Sequence, residues 1–253
     1  MKRLAALLLI AVACATTHPP VVRNAAEYDR LVAADPDKRL VEITDIPRDV
    51  RYATTDNFMH QTLYPVAKVF LRRPAAIALH DVERELAREG LGLKLFDGYR
   101  PYRVTVRMWK PIRNPDFVAD PAKGSRHNRG AAVDLTLIDL RTGAELPMPT
   151  GYDAFTPKAR QDYNELPAEA IANRAKLRDV MTRHGFDPLP SEWWHFDFRG
   201  WEKFELLDLP LERLSSASGL PVPLGGTRGN AGVLAGWLGG VSPLNRQTLN
   251  VRW

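Results

Sequence analysis

Two short stretches carry residues of the kind that hold metals and move protons. In SRHNRGAAVDLTL, Ser125 to Leu137, a histidine and an aspartate stand seven positions apart with glycine and small residues between them. In EWWHFDF, Glu192 to Phe198, a glutamate precedes a histidine by three. A catalytic zinc wants three protein ligands drawn from His, Asp, Glu or Cys, an open position for water, and a nearby carboxylate outside the ligand set to take that water's proton. His127, Asp134 and His195 are candidates for the ligands, and Glu192 for the base. Each has a plainer reading on its own, because a lone histidine is more often a surface or satisfied core residue. His18, His60, His80 and His184 lack a ligand-like partner and read as structural. Asp134 is harder to dismiss, since a carboxylate buried in an apolar strand needs a cation or hydrogen bonds to offset its desolvation.

The elements around these residues must bring them together. AAVDLTLID reads as a buried strand, with RTGAELP as a hairpin-like turn into another, and a turn at Gly130 lets His127 fold back toward Asp134. EWWHFDF reads as a strand from its aromatic content. Strict alternation would put Glu192 and His195 on opposite faces, so the chemistry demands a bend or a strand start near Glu192. Upstream, Leu40 to Ile43 is a strand candidate. Pro74 opens a helix carrying Ile77, Leu79, Val82 and Leu86, and Gly90 closes it. LGLKLFDGYRP reads as a strand ending in a turn, followed by a helix from near Tyr102 that includes Val106 and Trp109. A further helix over Pro167 to His184 presents Ile171, Ala175, Leu177, Val180 and Met181, and Gly185 ends it. Short strands interspersed with helices indicate the α+β class.

At 253 residues, with 45% hydrophobic and 26% charged content, the chain can bury a full core as an ordinary globular protein. The pI of about 9.4 suggests a nucleic-acid partner only until the charge is located. Of the 35 basic residues, Lys2 and Arg3 lie at the start and Arg228, Arg246 and Arg252 at the end, which leaves 30 against all 30 acids in between. The body from Cys14 to Arg213 is therefore neutral, and no nucleic-acid partner is expected. MKRLAALLLIAVAC joins two basic residues to an apolar run too short to span a bilayer, the pattern of an export signal. The one cysteine, Cys14, follows Ala11-Val12-Ala13, so residues 1–14 resemble a bacterial lipoprotein signal in which that cysteine is lipidated, with cleavage near Ala13 or Ala15 and no anchor as the alternative. Residues 15–40 read as a linker and N-terminal segment, 41–213 as the catalytic domain, and 214–253, rich in Gly, Pro and Ser and free of acids, as a flexible tail. Nothing in the sequence fixes an oligomeric state.

DGYRP (Asp97 to Pro101), SRHNRGAAVDLTL and EWWHFDF together resemble the D-alanyl-D-alanine dipeptidases, zinc enzymes of the D,D-peptidase superfamily (peptidase family M15). The likeness also takes in VRYATTDNF, LPMPTGYDAF, NRAKLRDVMTRHGF and FRGWEKFELLDLP, and so covers roughly Val41 to Pro210 in unbroken order. It implies a small antiparallel sheet flanked by helices, a Hedgehog/D,D-peptidase-like zinc peptidase fold. One Zn2+ falls to His127, Asp134 and His195, and the general base to Glu192. Arg100 matches an arginine that steadies the oxyanion, a role suited to a permanently charged guanidinium. Ser125 matches a serine contacting the substrate carboxylate, and Tyr52 and Asp153 match residues lining the pocket for the free amino terminus. The implied activity is hydrolysis of a small dipeptide, D-alanyl-D-alanine, in cell-wall peptide turnover. The export signal places the protein in the periplasm, membrane-anchored through a lipid on Cys14. A D,D-carboxypeptidase acting on longer peptides and a non-catalytic zinc-bearing binder of wall peptides are the competing readings.

Overall fold

A computed structural model describes residues 19–115 and 117–214. The expected signal segment, Cys14, His18 and the tail from residue 215 lie outside the described residues. The described residues open with β1 (Val21–Val22) and α1 (Ala25–Ala34), the latter capped by Asn24, whose side chain accepts from the Glu27 amide. β2 (Leu40–Glu42) pairs antiparallel with β3 (Phe70–Arg72), which runs directly into α2 (Arg73–Ala87). Then come β4 (Leu91–Asp97), α3 (Tyr102–Ile112), β5 (Ala132–Asp139), α4 (Ala168–Arg183), β6 (Phe186–Pro188), β7 (His195–Phe198) and β8 (Leu206–Leu207). The α+β class follows directly. β1 pairs in parallel with β8, and Val22 joins the core, so the folded body begins well before residue 41.

A four-stranded antiparallel sheet in the order β4-β5-β7-β6 positions the site. Alternation sorts its residues. Val133, Leu135, Leu137 and Phe196 enter one core with Leu79 and Val82 of α2 and Leu177, Val180 and Met181 of α4. Asp134 and His195 face the other way as a directly opposed cross-strand pair. Between Leu95 and Asp97 the β4–β5 register slips by one, which sets Asp97 opposite Asp134. This bulge turns a third polar side chain onto the face that carries Asp134.

Three details depart from the sequence reading. EWWHFDF is not a strand throughout: Glu192 is irregular, Trp193 and Trp194 form a turn, and β7 starts at His195. RTGAELP leads to a single bridge, Ile138 to Glu145, rather than a second strand. Pro147 and Pro149 follow at once, and neither has an N–H for a ladder. On α4, Ile171 and Ala175 are only half-buried, while Arg174 is buried and donates to the Arg160 and Tyr163 carbonyls.

Candidate metal and peptidase centre

The first ligand candidate sits on a tightly tied loop. His127 to Arg129 form a single 3-10 turn ended by Gly130 at φ 68°, where a Cβ would come within 2.5 Å of the Leu40 side chain. The Ser125 hydroxyl accepts from the His127 amide (3.1 Å). Asn128, fully buried, accepts from the Ser125 amide (2.9 Å) and donates to the Arg100 carbonyl (2.9 Å) and the Thr105 hydroxyl (2.8 Å). One amide side chain thus fixes SRHNRG to DGYRP and to α3.

His127, Asp134 and His195 converge. His127 Nε2 lies 3.1 Å from His195 Nδ1 and 3.4 Å from Asp134 Oδ1, and His195 Nδ1 lies 3.0 Å from that oxygen. Tetrahedral coordination with bonds of about 2.0–2.1 Å needs ligand atoms roughly 3.4 Å apart, so the trio is close to the spacing a zinc ion requires. The atoms behind these three are also engaged. His127 Nδ1 donates to the Gly98 carbonyl (2.8 Å), His195 Nε2 donates to Asp197 Oδ1 (2.9 Å), and the Tyr152 hydroxyl donates to Asp134 Oδ2 (3.0 Å). Each ring is therefore turned so that its other nitrogen faces the centre. Burial disfavours charge on Asp134, yet His127 and His195 outweigh it and hold the carboxyl far below the ordinary range. For His195, burial is overcome by Asp197 and Asp134, which keep the imidazole pKa well above its usual value. Two buried imidazoles and a carboxylate aimed at one point make a donor set suited to zinc.

The turn before β7 meets the geometric demand placed on Glu192. Its carboxylate reaches 3.9 Å from His195 Nδ1, on the ligand side rather than the opposite face. Burial pushes the Glu192 carboxyl up to about 7; His195 pulls it back and Asp134 adds to the rise. Gln161 braces this turn, donating toward the Glu192 carbonyl (3.3 Å).

Arg100 is no surface arginine. It is buried, with Nε (3.0 Å) and Nη2 (2.8 Å) both donating to Asp97 Oδ2, and it lies 5.2 Å over the Tyr52 ring. Burial opposes its charge, and Asp97 more than restores it. Asp97 is held in turn by the Tyr64 hydroxyl (2.9 Å) and the Gly98 amide (2.9 Å). The Tyr52 hydroxyl donates to Asp153 Oδ1 (3.1 Å), while Asp153 Oδ2 is buried with no hydrogen-bond partner. Asp153 adopts a left-handed backbone (φ 60°), and burial together with Asp134 raises its carboxyl well above the usual range. Ser125, Tyr52, Asp153, Arg100 and Glu192 line a single cavity of about 200 Å³ with the three ligand candidates.

Asp97, Tyr152 and Asp197 belong to this site and were not singled out from the sequence. Asp197 had a usable signal, because it stands two residues after His195 on a strand and so shares its face. Asp97 was visible inside DGYRP, but only the bulge brings it to Asp134. Tyr152 arrives on a loop with no local pattern.

A sequence model described as D-ala-D-ala dipeptidase (Peptidase_M15) matches residues 38–205. The chain belongs to this family. Among the family's curated proteins, the D-alanyl-D-alanine dipeptidase of Escherichia coli (strain K12) is 34% identical over 163 residues, which is 64% of this chain and 84% of that protein. The D-alanyl-D-alanine dipeptidase of Enterococcus faecium is 32% identical over 173 residues, covering 60% and 85% respectively. A solved structure of VanYB in complex with D-Alanine-D-Alanine covers 53% of this chain and 74% of its own at 16% identity, with a TM-score of 0.35, too loose a likeness to bear on the site. The family's match spans every candidate residue from Tyr52 to His195.

Proposed function

We propose that this protein is a zinc metallopeptidase that hydrolyses D-alanyl-D-alanine to two D-alanines in cell-wall peptide turnover. The observation that carries this reading is the convergence of His127, Asp134 and His195 beside Glu192 and Arg100, in a cavity where Asp153 presents a buried, unpartnered carboxylate oxygen. A zinc ion held by the three ligands supplies Lewis acidity to the scissile carbonyl and lowers the pKa of a water.

The chain's own groups do the rest. Glu192, a carboxylate with a pKa near neutral, takes a proton from the attacking water and returns it to the leaving amine. Arg100, anchored through one edge by Asp97, turns the rest of its guanidinium toward the oxyanion of the tetrahedral intermediate. Asp153, backed by Tyr52, receives the ammonium of the substrate's first residue, and Ser125 contacts the carboxylate. An acid at the amino end favours a substrate that ends there, which speaks for the dipeptidase over a D,D-carboxypeptidase. The base beside the ligands speaks against a pure binder. Lys2, Arg3, the apolar run after them and Cys14 support export and a lipid anchor, with a role in recovering wall fragments.

The deciding experiment measures D-alanine release by the zinc-loaded protein from D-Ala-D-Ala and from an acylated D-Ala-D-Ala. Cleavage of the free dipeptide, abolished in Glu192→Ala, is the expected result. Preference for the acylated peptide would move the protein to the carboxypeptidases.

A further inference from the structure

Resting on the dipeptidase reading, a charge count around the cavity exposes a missing partner. A dipeptide is a zwitterion. Asp153 answers its ammonium, but Ser125 offers its carboxylate a single hydroxyl, whose oxygen already accepts from the His127 amide. A carboxylate taken into a partly enclosed site needs a cation or several donors. Among the described residues, Arg100 and Arg126 are the only arginines lining the cavity, and no lysine lines it.

Sheet order separates the two. Arg100 is bound to Asp97 at the end of β4, beside Tyr52 and therefore beside Asp153. Arg126 belongs to the opposite flank: its Nε lies 3.5 Å from Oδ2 of Asp197 on β7, and its guanidinium stacks 4.7 Å over the Trp201 ring. Asp134 on β5 stands between them. Arg126 immediately follows Ser125. Its Nε is buried without a hydrogen bond, and among the described residues no acceptor takes a hydrogen bond from either terminal nitrogen. The stack on Trp201 and the Asp197 carboxylate orient the fork while leaving its outer edge open, the edge that binds a carboxylate through two parallel N–H donors.

We propose that Arg126 is the cation that captures the α-carboxylate of the substrate's second residue, with Ser125 as its accessory donor. The protein then measures its substrate from both ends, with Asp153 for the ammonium and Arg126 for the carboxylate, and the peptide bond falls over the ligand trio. Arg126 sets which peptides bind and takes no part in the proton transfers.

The test compares D-Ala-D-Ala with D-alanyl-D-alaninamide, which lacks the terminal charge. Binding is measured by calorimetry on zinc-loaded protein in a Glu192→Gln background, and D-alanine release is followed in parallel with Glu192 intact. Loss of a charge-assisted hydrogen-bond pair predicts that Arg126→Gln weakens D-Ala-D-Ala binding by roughly 10- to 100-fold. Binding of the amide stays as it was, so the preference for acid over amide collapses. Arg126→Lys retains part of that preference. In turnover the loss falls on KM rather than kcat. If Arg126 only props Asp197 and His195, Arg126→Gln weakens both ligands equally and lowers the zinc content, and the proposal is overturned. An unchanged acid-to-amide ratio overturns it as well. Arg126-dependent binding without D-alanine release would sink the hydrolytic reading and leave the anchor standing; failure to bind either compound would sink both.

Discussion

Replacing Asp153 with asparagine should make the protein more stable and less active, and the structure gives the size of each change. The wild-type carboxyl is buried beside Asp134 with one oxygen lacking any partner, so at neutral pH its ionised form is disfavoured relative to the unfolded chain. Asparagine keeps an oxygen for the Tyr52 hydroxyl and tolerates the left-handed backbone (φ 60°) as readily as aspartate does. The substitution therefore removes a desolvated charge without adding strain. A gain of about 0.5–2 kcal/mol is expected at pH 7.5, or roughly 1–8 °C in Tm for a domain of this size. The sign with pH follows from linkage. A carboxyl whose folded pKa is raised contributes stability that is complete below its unfolded pKa of about 3.9 and is lost as pH climbs toward the folded value. The two proteins should thus melt together near pH 4, and Asp153→Asn should draw ahead as pH rises. Activity moves the other way: losing a charged partner for the ammonium should lower kcat/KM for D-Ala-D-Ala by about 10- to 100-fold. Thermal melts of metal-free protein at pH 4 and 7.5, with D-alanine release on the zinc-loaded forms, check both. A variant that is less stable at pH 7.5, or one with unaltered kcat/KM, would refute the reasoning.

Other perturbations test the rest of the site. Asp197→Ala unties the Nε2 side of His195, and chelator competition should show metal affinity reduced by about 10- to 100-fold with the fold intact by circular dichroism. Glu192→Gln should bind zinc normally yet lose roughly 10²–10⁴-fold in kcat. Because Glu192 must be ionised to act and its carboxyl sits at about 7 without metal, kcat/KM should fall as pH drops; its acidic limb should lie at or below 7, since a nearby cation only lowers that value. Asn128→Ala leaves the Ser125 amide, the Arg100 carbonyl and the Thr105 hydroxyl to find new partners; a loss of about 2–4 kcal/mol in denaturant unfolding is expected. The proposed lipid anchor predicts that Cys14→Ser moves the protein from the membrane to the soluble fraction of its host and abolishes incorporation of a labelled fatty acid; equal fractionation of the two proteins would overturn the anchor.

The parts of this molecule that were legible in its sequence are those governed by local periodicity and by residue type. β4, β5, α2 and α3 follow from apolar patterning and punctuation by Pro and Gly, and the ligand trio follows from the scarcity of reasons for a carboxylate in a strand like AAVDLTLID. What escaped depends on tertiary context. Aromatic content in EWWHFDF reads as strand over its full length, but before His195 the ladder retains only the Trp194 carbonyl, which accepts from the Leu135 amide (3.1 Å), while Trp193 is held by packing and by its Nε1 donating to Thr150 Oγ1 (2.9 Å). Arg174 lies outside the apolar pattern of α4, yet the carbonyls of Arg160 and Tyr163 draw it inward. Tyr152 behind Asp134 and Asp97 behind Arg100 come from a loop and a bulge, neither of which has a periodic signature.

The bulge in β4 also governs how this protein can change. Residues of a strand keep their faces by parity, and the extra residue between Leu95 and Asp97 is what moves Asp97 from the helix-packed side to the side of Asp134. Deleting or inserting one residue there would return Asp97 to the oily side and strip Arg100 of its counter-ion, though every residue of the reaction centre was still encoded. The turn joining β5 to Glu145 faces solvent and obeys no such parity. Length variation among descendants of this chain should therefore accumulate in that turn and be purged from the stretch between Gly90 and Gly98, an asymmetry that indel scanning would expose without any assay of the chemistry.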